Sequence, residues 1–159
     1  MPSISMDSPV GRLLLRERDG AIVAIDWSGA AETSKASPLL RRAKSALERY
    51  FAGTLNDFDI PLAPQGTAFQ KRVWDEMCRI PFGETITYGE LARRVGSAPR
   101  AIGGACGSNP IPIIVPCHRV VAAAGKPGGY SGAGGLDTKA WLLSHERATI
   151  ARHPRRIAS

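Results

Sequence analysis

Among the residues able to do covalent chemistry, Cys117 stands out, because His118 and Arg119 follow it directly in Pro116-Cys117-His118-Arg119. A thiolate is the strongest soft nucleophile a side chain supplies near neutral pH, but a free cysteine is mostly protonated there. It needs a base or a positive neighbourhood. His118 and Arg119 offer both, and a carboxylate such as Glu146 could orient the imidazole. On its own the Cys117-His118 pair indicates either a nucleophilic thiol or a packed cysteine beside a surface histidine, and its surroundings must decide between them. The other cysteines, Cys78 and Cys106, form no Cys-x-x-Cys pair, and the histidines are not clustered, so no metal site is expected. Cys78, one turn beyond Trp74, and Cys106 are read as packing residues. Three cysteines make no disulfide framework and fit a reducing compartment.

The elements around Cys117 must hold it in place. Asn109-Pro110-Ile111-Pro112 is a stiff turn, and Ile113-Ile114-Val115 is a buried apolar run leading into the cysteine. Upstream, Thr67-Ala68-Phe69-Gln70 is a capping box, and Phe69, Val73, Met77 and Ile80 form one helical face ended by Pro81-Phe82-Gly83. Thr87-Tyr88-Gly89-Glu90 opens a second helix that Gly96 breaks. Ser97-Ala98-Pro99 then starts a third, running to about Cys106, which gives a helix-turn-helix pattern. Its Arg100-Ala101-Ile102-Gly103-Gly104-Ala105 face is built either for close approach to another surface or for tight helix packing. Two helical glycines cost roughly 1 kcal/mol each against alanine. After the loop Gly125 to Gly135, Asp137 or Thr138 could cap a last helix carrying Trp141, Leu142, His145 and Glu146.

The first third reads as α/β. Arg12 to Arg16 and Ala21 to Ile25 are apolar runs around Asp19-Gly20, a hairpin signal. Ser37-Pro38 begins a helix with Leu40, Ala43, Leu47 and Tyr50/Phe51 at helical spacing, and Gly53 ends it. Thr54 to Gly66 reads as a linker. The expected organisation is an N-terminal α/β domain over 1–63, a C-terminal DNA-binding and acceptor domain over 64–150, and a basic tail over 151–159.

Charge supports the division. The formal net charge is +7, and residues 67–159 hold thirteen Lys/Arg against six Asp/Glu, while residues 1–66 are balanced. That asymmetry fits a polyanion partner or a solubilising surface. No signal peptide and no apolar run long enough to span a bilayer are found, so a cytoplasmic protein without membrane contact is expected.

The run Asn109-Pro110-Ile111-Pro112-Ile113-Ile114-Val115-Pro116-Cys117-His118-Arg119-Val120 resembles the active-site signature of the O6-alkylguanine-DNA alkyltransferase family. Phe69-Gln70 with Val73-Trp74, Ile80 to Thr85, Thr87 to Ala92 and Trp141 to Glu146 are similar to its supporting stretches, so the close resemblance covers residues 67–146. It implies a ribonuclease-H-like N-terminal α/β domain followed by a winged-helix-like, mainly helical C-terminal domain. It also implies that a monomer binds double-stranded DNA containing O6-alkylguanine, flips the lesion out, and keeps the alkyl group on Cys117 without a cofactor. By the same resemblance His118 takes the thiol proton through a water, Glu146 holds His118, and Asn109 braces the turn. Tyr130 donates to the departing base, the backbones of Cys117 and Val120 accept from the guanine amino group, and the Ser131 amide faces O6. Tyr88 presses on the flanking phosphate and Arg100 fills the emptied stack. Ala101 and Gly103 touch the groove wall, and Arg119 is counted with the DNA contacts. Competing readings are a non-catalytic sensor of alkylated DNA, a cysteine hydrolase, and a helix-turn-helix regulator. The intact Cys117 weighs against the first, the lack of any sign of an acyl substrate against the second, and the proline-framed cysteine against the third.

Overall fold

The computed structural model describes residues 2–27, 37–126, 128–130 and 135–153. Three antiparallel strands come first, β1 (Ser3–Met6), β2 (Leu13–Arg18) and β3 (Ala21–Asp26), in that spatial order. Asp19 and Gly20 both have positive φ (50° and 79°). That is the turn an Asp-Gly hairpin favours, because its twist matches that of the strands. β1 was not read from the sequence. Helix α1 (Pro38–Phe51) is capped by the Ser37 side chain, which accepts from the Leu40 amide, and Pro38 opens it. It buries Leu40, Ala43, Leu47 and Tyr50, in one core with Leu13, Leu15, Ile22 and Ile25. Gly53, at φ 79°, follows the helix end. The expected linker is more than a tether, because it runs along β3: Ile22 N donates to Pro61 O and Ala63 N to Ile22 O, both at 2.9 Å.

The rest is mainly helical. α2 (Ala68–Met77) begins with the expected reciprocal box, in which Thr67 Oγ1 accepts from Gln70 N and Thr67 N donates to Gln70 Oε1. β4 (Ile86–Thr87) leads into α3 (Tyr88–Val95), and α4 (Pro99–Gly107) follows a left-handed Gly96. At α3 the box is half formed: Thr87 caps the Glu90 amide, but the Glu90 side chain pairs with Arg93. The Trp74 indole donates to Ala105 O at 2.8 Å and ties α2 to α4. A 3₁₀ turn over Cys117–Arg119 leads into β5 (Val120–Val121), which pairs in parallel with β4.

The last helix, α5, spans Leu136–Arg152. It differs from expectation at both ends: Gly135 occupies the cap position, and the helix takes in Ala151 and Arg152, which the sequence had placed in the tail. Residues 154–159 and the loop residues 131–134 lie outside the described residues. Cys78 is also corrected. It is exposed and lines a surface groove with Trp74 and Leu62. No described helix is long and apolar enough to cross a membrane.

Candidate active site

The segment before Cys117 is a strained turn. Buried Ile113 has φ 74°, a region that a β-branched residue adopts only when its surroundings force it. Asn109 supplies part of that force. Its Nδ2 donates to Val115 O at 2.8 Å, and its Oδ1 accepts from Ile111 N at 3.0 Å. The Cys117 amide closes the turn by donating to Val115 O at 2.8 Å. A brace from Asn109 is what the resemblance implied, and the hydrogen bonds show how one asparagine can provide it.

Cys117 is buried except for 7% of its surface, which faces two cavities. The larger, about 630 Å³, is lined by Tyr88, Arg100, Gly103, Cys106, Cys117 and Tyr130 among others. Burial pushes the thiol above its ordinary range, while Asn109 and the positive Lys139 pull it down. The resting group is therefore a thiol that needs a base.

Behind it, His118 is fully buried and its Nε2 lies 2.6 Å from Glu146 Oε2. A carboxylate can only accept, so Nε2 carries the proton and Nδ1 holds a lone pair. Nδ1 has no hydrogen-bond partner among the described residues. Burial drives the His118 pKa down, against the pull of Glu146, so the ring is neutral at pH 7. It is an imidazole with a basic nitrogen available.

Glu146 gathers donors from three parts of the chain. It accepts from His118, from Arg119 Nε at 2.9 Å and Nη2 at 3.1 Å, from the Tyr50 hydroxyl at 2.6 Å and from Gly83 N at 3.1 Å. Burial alone would raise its pKa, but His118 and Arg119 outweigh burial and hold it well below the usual carboxylate range. Gly83 must be glycine here: its φ is 81°, and a Cβ would fall 1.8 Å from Ile150 Cδ1.

Arg119 requires a correction. It is 6% exposed, and it spends its guanidinium on Glu146 and on Ile80 O at 2.8 Å, with Phe82 under its face. Buried and with its charge paired, it is not positioned to meet a phosphate. Its net charge compensates a buried carboxylate instead.

The remaining candidates are distributed as follows. Tyr130 lies on both cavities with Cys117, and its buried hydroxyl has no partner among the described residues. Tyr88 lines the larger cleft, and its hydroxyl accepts from Gly129 N at 3.3 Å. Arg100, Ala101 and Gly103 are exposed along α4, with Arg100 and Gly103 on the cleft itself. A Cβ at Gly103 or Gly104 would meet nothing within 4 Å, so these glycines do not serve tight helix packing. Val120 is fully buried and lines neither cavity; its amide donates to Cys117 O and its carbonyl accepts from Lys139. Ser131 lies outside the described residues. Cys106, expected only to pack, lines the cleft with a thiol that burial pushes up to about 12.

Two residues were missed. Lys139 is fully buried, with Nζ donating to Val120 O at 2.7 Å and Gly129 O at 3.1 Å, and its charge acts on both Cys106 and Cys117. Tyr50 brings the N-terminal domain into contact with Glu146. A buried lysine near a cysteine leaves no trace in a single sequence, whereas Tyr50 was visible only as a core position.

Comparison with known proteins decides what this arrangement is. Residues 3–64 match the family model described as 6-O-methylguanine DNA methyltransferase, ribonuclease-like domain, and residues 68–148 match that of its DNA binding domain. The chain belongs to the 6-O-methylguanine DNA methyltransferase family. Within that family, it is 44% identical to the methylated-DNA--protein-cysteine methyltransferase of Methanosarcina acetivorans, over 88% of this chain and 94% of that one. The crystal structure of the Mycobacterium tuberculosis O6-methylguanine methyltransferase matches with a TM-score of 0.82 at 40% identity, over 93% of both chains. That organism's OGT in complex with DNA matches with a TM-score of 0.81 at 42% identity, covering 91% of this chain and 92% of that one. The methyltransferase fold shared with these structures is an N-terminal sheet followed by a helical C-terminal domain.

Proposed function

We infer that this protein binds double-stranded DNA and repairs O6-alkylguanine by moving the alkyl group onto Cys117, once per molecule. The observation that carries the reading is the Cys117 thiol in a cleft that opens along the glycine face of α4, with His118 and Glu146 hydrogen-bonded behind it. A base inside a duplex cannot reach such a thiol, so it must be extruded at a cost of roughly a few kcal/mol. In this reading Arg100 fills the vacated stack, and the bare backbone at Gly103 lets α4 approach the groove wall. Ala101 accompanies it, and Tyr88 meets the flanking phosphate.

The thiol proton passes to His118 Nδ1 through a bridging water while Glu146 steadies the imidazolium that forms. Sulfur attacks the alkyl carbon and the bond from that carbon to O6 breaks. The electron pair leaves with the guanine, which takes a proton from the Tyr130 hydroxyl, and the proton on His118 restores the balance through solvent. The Cys117 carbonyl is the acceptor for the guanine amino group. Lys139 supports the developing thiolate from behind. The product is a thioether, and no side chain here can cleave it. No cofactor is required, the working unit is a monomer, and the two functional parts divide near residue 63.

The test is to incubate the protein with duplex DNA containing O6-methylguanine and read intact and peptide masses. A single methyl on the Cys117 peptide is expected. DNA retained with Cys117 unmodified would favour a sensor of alkylated DNA and overturn the reading.

A further inference from the structure

The helix that lines the cleft, α4, is intrinsically weak. It has no side-chain N-cap, and it carries three glycines, Gly103, Gly104 and Gly107. Only Ile102 and Ala105 are buried along it. The last carbonyls of any helix need partners from outside its own ladder. Here Gly104 O accepts from Ser108 N at 3.1 Å, and Cys106 O accepts from Asn109 N at 3.3 Å. Ala105 O is passed over by the Asn109 amide and is met instead by Trp74, whose Nε1 donates to it at 2.8 Å. Trp74 is 1% exposed on α2, so this bond is shielded from water. Asn109 then begins the brace of the thiol turn through Val115 O, which also accepts from the Cys117 amide. Trp74 thus ties off α4 just before the chain enters the turn that presents the sulfur.

The indole is itself held from another side. The backbone of Gly66, at the end of the segment that leads from the N-terminal domain, lies against its six-membered ring. A Cβ there would fall 2.5 Å from Trp74 Cη2, 2.7 Å from Cζ3 and 2.7 Å from Gln70 Oε1. Gly66 does not have a positive φ, so space alone demands the glycine. We propose that Trp74 is a positioning residue for transfer from duplex DNA. Its N–H fixes the end of α4 relative to Cys117, and Gly66 fixes where the indole stands. The proposal rests on the alkyl-transfer reading given above. An extruded base must reach the sulfur from a duplex seated on α4, and a misplacement of about 1 Å between such partners can cost roughly a hundredfold in rate. The hydrogen bonds of His118, Glu146 and Lys139 behind the thiol do not involve Trp74, so its loss leaves the nucleophile's own surroundings in place.

The experiment uses the whole protein with Trp74→Phe, which removes the N–H, and Gly66→Ala, which crowds the indole. Gln70→Ala is the control, since it opens the capping box of α2 without touching the indole's bond. Three readouts are taken: amide hydrogen exchange without DNA, Tm, and single-turnover methyl transfer at saturating O6-methylguanine duplex. In Trp74→Phe and Gly66→Ala, amides of residues 103–109 are expected to lose protection while those of 117–121 and of α1 keep it. Transfer should slow about tenfold or more, as a buried carbonyl left without its donor implies. Gln70→Ala should lower Tm with neither local deprotection of α4 nor slowed transfer. Exchange that rises evenly over the whole chain would make Trp74 a core residue only and overturn the proposal. Transfer unchanged in both variants, or slowed as much by Gln70→Ala, would overturn it too. Absence of methyl transfer by the wild type would overturn the alkyl-transfer reading and, with it, the role given to Trp74.

Discussion

Removing one oxygen atom, in Tyr50→Phe, tests whether the N-terminal domain tunes the base at the active site. The Tyr50 hydroxyl donates to Glu146 Oε2 at 2.6 Å, the same oxygen that meets His118 Nε2. Hydrogen bonds to charged groups contribute about 1.5–3 kcal/mol, and Glu146 keeps its other four donations, so the fold survives. For a chain of this size that loss corresponds to a Tm drop of roughly 3–12 °C. The informative effect lies in the pH–rate profile. In the proposed mechanism His118 works only as the neutral ring, so the rate should fall as pH drops through its pKa, which burial holds below its ordinary value. Without the phenol, Oε2 concentrates more charge on His118, the protonated ring is better stabilised, and its pKa rises. The acid limb of the profile should therefore move to higher pH. The assay is single-turnover methyl transfer from pH 4.5 to 8, with Tm measured in parallel. A lower Tm with an unmoved acid limb would refute the coupling and leave Tyr50 as a core residue only. An unchanged Tm would refute the hydrogen bond.

Further outcomes follow from the same geometry. His118 and Glu146 both have depressed pKa values in the folded protein, so their contributions to stability are present above the unfolded values, about 6.5 and 4.3, and are lost as pH falls. Tm should decline in two steps below those values, and His118→Asn should abolish the upper step. Lys139→Met removes the cation beside Cys117 and should displace the pH profile of the thiol's reaction with a small alkylating probe toward higher pH. Methyl transfer at pH 7 should slow about tenfold for each pH unit that this profile moves. Gly103→Leu meets open space and gains about 0.8 kcal/mol of helix propensity, so Tm should not fall, while affinity for duplex DNA in a filter or anisotropy assay should. Arg119→Met strands a buried carboxylate and should cost about 3–5 kcal/mol in urea unfolding. It should leave the salt dependence of binding to undamaged duplex unchanged, since Arg119 contacts no phosphate.

Legibility in the sequence followed the range of the interactions. Signals that act within a turn could be read directly: the Ser37 cap with Pro38, the Thr67–Gln70 box, the Asp19-Gly20 hairpin and the Gly96 stop all lie where their local chemistry requires. The Pro-Cys-His motif was legible for a similar reason, because its members are consecutive. The errors came from long-range contacts. Arg119 was counted with the DNA contacts, and only a carboxylate arriving 27 residues later explains its burial. Tyr50 meets Glu146 across 96 residues, and Lys139 is buried only because Val120 and Gly129 offer it carbonyls. β1 is four residues long and has little pattern of its own, being placed by its pairing with β2. The second cavity was invisible for the same reason, since it exists only where β3 docks on the turn before Cys117.

The central claim is that Cys117 accepts an alkyl group and never gives it up. The direct measurement is the number of methyl groups removed from DNA per protein molecule when O6-methylguanine duplex is in excess. A plateau at one is expected, with the lost activity matched by modified Cys117 and no recovery on prolonged incubation. Continued removal beyond one per molecule, or a plateau reached while Cys117 stays unmodified, would contradict it.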